Sequence, residues 1–297
     1  MGSALFLVCV LLLAGYAARR FRRLPDNAAE VLNRFIIDIC VPATILRLVP
    51  NLKLSPDLAV LVAVPWAMAG LAYVCSRLAR RALRLDETQS TALFLATALG
   101  NTSFLGFPLC SALLGEASVP LAVVYDQLGS FLLLSIIAPL ALARVSAGSR
   151  ATPAQLARRV LLFPPFVALL LAVLPLPRPA ALQPVLSAAA SPLVPLAIFA
   201  VGLKLSFSPP RPARAFALGL ALKLAVFPAV GWLLARALGA HGLLLKVAVL
   251  ETAMPTMITA GAMLMAYDVA SELAAAFVSW GLILSLLSVP AWSVLLR

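Results

Sequence analysis

The sequence predicts an all-α polytopic membrane protein built from two inverted five-helix halves, each holding one proline-broken helix. Three observations carry this: an apolar composition, ten apolar segments of membrane-crossing length, and a shared order of short motifs in the two halves. Of the 297 residues, 63% are hydrophobic and 11% charged, with a mean hydropathy of +1.05. Soluble domains are about half apolar and a quarter charged. A water-soluble fold of this composition would expose large apolar patches, which monomeric proteins avoid. In lipid the outward surface must itself be apolar.

A net charge of +12 with a pI near 10.6 raises nucleic acid as a partner. The basic residues, however, sit in short clusters between apolar segments instead of on one face with interleaved aromatics. No nucleic-acid partner is expected; such clusters follow from the positive-inside bias of membrane insertion. Cys9, Cys40, Cys75 and Cys110 all fall in apolar segments, no CxxC spacing exists, and His241 is the only histidine. Free cysteines of this kind pack as small hydrophobes. Neither a disulfide framework nor a metal site is predicted, and no cofactor is expected.

A hydrocarbon core of ~30 Å takes roughly 17–25 apolar residues per helix. Ten such segments lie near 3–18, 27–48, 57–79, 88–115, 118–143, 159–176, 181–203, 212–237, 242–267 and 270–296. Segment one resembles a signal-peptide core, but Arg19, Arg20, Arg22 and Arg23 follow it, the reverse of the cleavable order. It is read as a first span with its N-terminus outside. The longest polar interval, Arg144 to Arg159, is a short loop. On this layout the inner loops carry fifteen Lys and Arg against six outside. Both termini are therefore expected outside, with the loop at Ala147 inside.

The two halves repeat one another, 1–146 and 159–297, around a short cytoplasmic linker at 147–158. Val41-Pro42 and Val194-Pro195 lie in segments two and seven, followed by Leu52-Lys53-Leu54-Ser55 and Leu203-Lys204-Leu205-Ser206. Pro65 answers to Pro228, and Pro108 to Pro255. Ala117-Ser118 and Ala270-Ser271 open segments five and ten, which both hold Leu-Ser and then a proline: Leu134-Ser135 with Pro139, and Leu284-Ser285 with Pro290. Five spans is an odd number, so the second half runs opposite to the first. Inverted repeats of this kind are a mark of secondary transporters.

Segments four and nine say most about function. Segment four reads Gly100-Asn101-Thr102-Ser103-Phe104-Leu105-Gly106-Phe107-Pro108. Its glycines and proline free backbone groups from the helical ladder, and such groups are tolerated only against protein or a water-lined cavity. Segment nine repeats the device at Glu251-Thr252-Ala253-Met254-Pro255-Thr256. Broken helices turn half-helix N-termini toward the membrane centre, where their partial positive charge suits an anion. A plain proline kink is the alternative for each segment alone. The glycosylation sequon Asn101-Thr102-Ser103 is discounted because it lies inside a span.

The run Gly100 to Leu109, with Gly115-Glu116, Tyr125-Asp126 and Ala253-Met254-Pro255, resembles the auxin efflux carrier family of bacterial and plant transporters. The resemblance covers essentially the whole chain. It implies ten transmembrane helices in two inverted five-helix repeats, with crossed, proline-broken helices four and nine around an organic-anion site. It also implies an elevator-like division into a scaffold (segments one, two, six and seven) and a moving domain. The long cytosolic loop of the plant carriers is missing, so the match is closer to short bacterial members, which are associated with small carboxylates such as malonate or malate. A bacterial cytoplasmic membrane follows as the location. The candidate substrate-binding residues are those at the breaks, Asn101, Thr102, Pro108, Met254, Pro255 and Thr256, with Gln127, which resembles a polar position lining the family's site. Glu251 departs from the family, which often has a neutral amide there. The expected partners are a small organic anion and the lipid bilayer, with a homodimer as one assembly open to the chain.

Charges inside the spans complete the site. A charge at a helix centre costs about 3 kcal/mol on insertion scales, which makes such residues functional candidates. Arg34 and Asp38, four apart, can pair on one helix face, and Arg34 can snorkel; the pair is read as structural. Asp126, Lys223 and Glu251 are the candidates for ion or proton coupling. A carboxylate at this depth suits a proton carrier, whereas a static Lys223–Glu251 ion pair would hold it ionised. Asp57, after Pro56, is read as a helix cap. A membrane-embedded enzyme would need a nucleophile with a base or a metal cluster, and the sequence groups neither. A receptor or sensor would usually carry a soluble output domain, for which no room exists. A sodium-coupled carrier of the bile-acid-symporter type shares the crossed-helix plan and stays open. No Walker A motif supports a primary pump.

Overall fold

The computed structural model describes residues 2–53, 55–146, 152–175, 179–205, 207, 209 and 211–296. Leu54 and Ser206 of the paired tetrapeptides, Ala147 and Arg150 of the linker, and Arg178 and Arg297 of the outer basic set lie outside them. Among the described residues every regular element is a helix, and backbone pairing between extended stretches is confined to a single bridge. Among the described residues five helices are long and apolar enough to cross a membrane: Pro56–Leu83, Glu116–Leu142, Leu182–Lys204, Ala213–Ala237 and Ser271–Leu295. A sixth arises if Pro153–Leu161 and Pro164–Val173, bent by 64°, count as one span. Segment one is the helix Gly2–Arg20. Segments four and nine are interrupted, as Glu87–Ala98 with Thr102–Leu114, and as Gly242–Thr252 with Ile258–Ala266.

Pro65 and Pro290 stand inside uninterrupted α-helices, and four further prolines are absorbed by a wider turn. π turns at Ile36–Cys40, Thr102–Gly106, Leu133–Ile137 and Leu222–Val226 each end two residues before a proline: Pro42, Pro108, Pro139 and Pro228. Proline lacks an N–H and its ring clashes with the carbonyl four residues back. The wider turn takes in one extra residue ahead of the ring, so the helix continues. This corrects the expectation that segment four breaks at Pro108. That residue sits just inside the helix Phe107–Leu114, and the break lies at Leu99–Asn101. Asp57 is also corrected: Pro56 opens the turn, Asp57 follows within it, and the cap position belongs to Ser55.

Two groups of helices pack around separate contacts. Segment one lies along Leu193–Lys204 of segment seven. They touch at Gly15 and Gly202, where an added Cβ would overlap the backbone of the facing helix. Segment two packs on segments six and seven. The second group joins segments three, four and five to eight, nine and ten. Arg19 donates to the carbonyls of Leu203 (3.2 Å) and Leu205 (3.0 Å), satisfying the end of segment seven's helix. Arg34 and Asp38 pair at 3.3 Å on an exposed face.

Candidate functional site

The two interruptions meet. Leu99 leaves its helix in extended conformation, and Met257 enters the next one the same way. Extended backbone presents its polar groups sideways, so the two stretches satisfy each other. Asn101 N–H donates to Pro255 C=O at 2.8 Å, and Met257 N–H donates to Leu99 C=O at 2.9 Å. These bonds frame the antiparallel bridge between Gly100 and Thr256. Thr256 Oγ1 adds a bond to Ala96 C=O at 2.9 Å. The crossing therefore satisfies part of the backbone that its breaks set free.

On one side of the crossing lies a cavity of about 100 Å³. Asn101, Ser103, Phe104, Asp126 and Gln127 line it from segments four and five, and Met257 and Thr259 from segment nine. Ile37 and Val41 of segment two, with Phe163 and Pro165, close it from the first helix group. At about 30 Å³ per water, it has room for three waters or one acid of a few carbons. The half-helices starting at Thr102 and Ile258 both begin beside it. Their first N–H groups have no partner within their own helix, which favours an anion there.

Asp126 is buried in the cavity wall and fully engaged. Its Oδ1 accepts from Thr102 Oγ1 and from Ser103 Oγ (2.7 Å), and its Oδ2 from Gln127 Nε2 (2.7 Å). By contrast Asn101 Nδ2 and Gln127 Oε1, in residues equally buried, have no protein partner. One donor and one acceptor in the residues that line the cavity are thus left without a protein partner. Leaving such a buried group unpaired costs about 1–3 kcal/mol, and a polar ligand would recover it.

Glu251 and Lys223 lie on the other side, outside the cavity lining. Glu251 Oε1 accepts from Cys110 Sγ at 3.3 Å, and its Oε2 has no partner. The carboxylate fills the space beside Gly106, where a Cβ would overlap it. The Lys223 ammonium lies against Gly100, 3.2 Å from where a Cβ would sit. Among the described residues no carboxylate comes within ion-pairing distance of Lys223, so the static Lys223–Glu251 pair is not formed. Tyr125 OH and Thr252 Oγ1 bond at 3.0 Å close to Glu251.

The breaks thus divide the sequence-derived residues. Asn101, Gln127 and Asp126 reach the cavity. Thr102 spends its hydroxyl on Asp126, Pro255 its carbonyl on the bridge, and Thr256 its hydroxyl on Ala96. Met254 is buried with its Cβ about 3.5 Å from the Cβ position of Gly100, and Pro108 is buried within its helix. Ser103, Met257 and Thr259 line the cavity and were not anticipated. Their positions, just after Asn101 and Pro255, are the first turns of the half-helices, and that is the signal that marks them.

Residues 1–293 match the family described as Membrane transport protein. The chain belongs to that family. It is the auxin efflux carrier family that the motifs of segments four and nine resemble. Relatives match over nearly their full lengths. An "Uncharacterized transporter" of Methanothermobacter thermautotrophicus is 31% identical over 97% of this chain and 96% of its own. A "Putative malonate transporter" of Rhizobium meliloti is 28% identical over 97% and 93%. A second "Uncharacterized transporter", from Methanocaldococcus jannaschii, is 25% identical over 99% and 98%. This membrane transport protein is an integral membrane transporter with several apolar helices.

Proposed function

We propose that this membrane transport protein is a secondary carrier of a small organic anion, a carboxylate of a few carbons, moved by elevator-like alternating access with proton coupling. The observation that carries the reading is the cavity beside the bridge. It joins two half-helix N-termini to Asn101, a lining residue whose buried Nδ2 has no protein partner, in a space sized for such an acid. The name of the Rhizobium relative points to the same chemical class. Binding falls to Asn101, Ser103, Gln127 and Thr259, while Thr102, Pro108, Met254, Pro255 and Thr256 shape the crossing.

The architecture proposed is ten helices in two inverted repeats, 1–146 and 159–297, with both termini outside the cytoplasmic membrane. Its support is a contact pattern that survives exchange of each segment with the one five places on. Segments one and seven pack as two and six do, three and four as eight and nine, and four and eight as nine and three. The elevator rests on the cavity's position between the two helix groups, so that sliding one past the other carries its contents across. Proton coupling is assigned to the buried Glu251 across the crossing, with Asp126 in the cavity wall as the alternative carrier.

A thermal-shift screen of the purified protein against malonate, malate and longer acids, with and without sodium, tests the reading. Short dicarboxylates should raise the melting temperature in the absence of sodium and drive saturable flux in proteoliposomes. Stabilisation only with sodium would favour a sodium-coupled carrier. No stabilisation and no flux for any carboxylate at millimolar concentration would overturn the anion assignment.

A further inference from the structure

Away from the crossing, a groove of about 640 Å³ runs along the outside of segments three, four and five. Its lower part is apolar, with Trp66, Phe94, Leu133 and Ile137 on its walls. Its mouth holds Arg77, Glu87 and Arg144. Trp66 and Arg77 mark its ends on one helix, Ala59–Leu83, eleven residues apart. At 1.5 Å per residue that is ~16 Å, about the depth of one leaflet of a ~30 Å core.

Charge at the mouth is not balanced. Glu87 bridges Arg77 (3.0 Å) and Arg80, and Asp86 adds a second carboxylate acting on Arg80, so these charges balance and the excess rests on Arg144. Among the described residues Arg144 has no carboxylate within ion-pairing distance. Gly70, midway along the groove, keeps it open, for a Cβ added there would meet nothing within 4 Å. The trough is thus apolar for the depth of a leaflet and ends in a cationic rim.

We infer that this groove is a binding site for an anionic phospholipid, with an acyl chain along Trp66 to Ile137 and the phosphate at Arg144 and Arg77. A free phosphate would use only the rim and leave the trough empty, and a zwitterionic lipid would bring its own cation to a rim that already has an excess. Basic rims at the cytoplasmic ends of transmembrane helices recognise anionic headgroups by the same electrostatics.

The test compares phosphatidylglycerol with phosphatidylcholine of the same chains, added to the detergent-purified protein, read by native mass spectrometry and melting temperature. Wild type should bind phosphatidylglycerol preferentially. Arg144→Gln should weaken that binding about fivefold with phosphatidylcholine unchanged. Gly70→Leu, which also improves helix propensity, should fill the trough and reduce binding of both lipids with the fold intact. Glycerol phosphate, which has no chain, should compete with neither. Equal binding of the two lipids to wild type, an undiminished preference in Arg144→Gln, unaltered lipid binding in Gly70→Leu, or displacement by glycerol phosphate would each overturn the assignment.

Discussion

Asp126 and Glu251 flank the same crossing and are buried to the same degree, each about 1% exposed, yet they are held in opposite ways. Asp126 takes three side-chain donors and is part of the cavity wall. Glu251 has a thiol on one oxygen and nothing on the other, with Lys223 near but unpaired. Burying a carboxylate is costly unless its lone pairs are met. The first site has met that cost with fixed donors, and it is built to stay as it is. The second has not, so its charge state is free to change without dismantling a network. On the proposed proton coupling, the difference favours Glu251 over Asp126 as the carrier.

The largest effect that sharpens this contrast is on stability. Asp126→Ala would strand the hydroxyls of Thr102 and Ser103 and the Gln127 amide, at about 1–3 kcal/mol each where no other partner is found. A loss of roughly 3 kcal/mol or more is expected, seen as reduced folded yield and a lower melting temperature in detergent. An Asp126→Ala protein as stable as wild type would show that the network does not hold the wall.

Asn101→Ala should do the reverse. It removes a donor that has no protein partner, so the fold should lose less than about 1 kcal/mol. The backbone bond from Asn101 N–H to Pro255 C=O is kept. Transport should fall about a hundredfold, as expected where a charge-assisted bond to a buried anion is deleted. Wild-type uptake by this variant would remove the cavity as the substrate site.

A smaller effect is expected at Gly106. Alanine there would drive a methyl into the Glu251 carboxylate, and overpacking of this kind costs about 1–3 kcal/mol. Because the displaced group is Glu251, transport should drop about tenfold while carboxylate-induced thermal stabilisation survives. Loss of both together would mean that the two sides of the crossing are one site.

How much of this was legible in the sequence differs between the two sides. The break in segment nine was marked by Pro255, which does stand in it. The break in segment four was not marked by Pro108, because a π turn absorbs that proline and Gly100 lies at the interruption instead. Proline in a membrane helix therefore does not by itself signal a break: a wide turn absorbs Pro108, and Pro65 and Pro290 stand in uninterrupted helices, which packing decides and a single sequence does not display. The buried charges were legible as candidates because apolar context makes them conspicuous. Their partners were not: that Asp126 would gather Thr102 and Ser103 from segment four depends on how segments four and five pack, not on their spacing. Ser103 and Thr259 carry no charge and stand out only once both half-helices are seen to begin at one cavity.

The finest test of the comparison is Glu251→Gln, for which the smallest change in stability is expected. If Lys223 depended on Glu251, the variant would leave a buried ammonium without its counter-charge and destabilise the protein by several kcal/mol. Among the described residues the two groups act on each other's charge without coming into direct contact, so the dependence is weaker than that of a formed pair. Glutamine keeps the shape, can accept from Cys110, and leaves the space beside Gly106 filled, so less than about 1 kcal/mol should be lost. The readout is then the pH profile. A carboxylate that must take up a proton to let the carrier cycle makes transport fall as pH rises through its titration. Glutamine stands in for the protonated form, and flux should become insensitive to pH while carboxylates still raise the melting temperature. The groups facing Glu251, namely Asp126, Cys110, Lys223 and the Tyr125–Thr252 pair, are retained; because the charges of Asp126 and Glu251 act on each other, a flat profile is assigned to Glu251 only where Asp126→Asn keeps the wild-type slope. A profile that keeps its wild-type slope would transfer the role to Asp126, whose network would then have to open in each cycle. In that case the conservative Asp126→Asn should flatten the profile where Glu251→Gln does not, and the contrast between the fixed and the free carboxylate would have to be reversed.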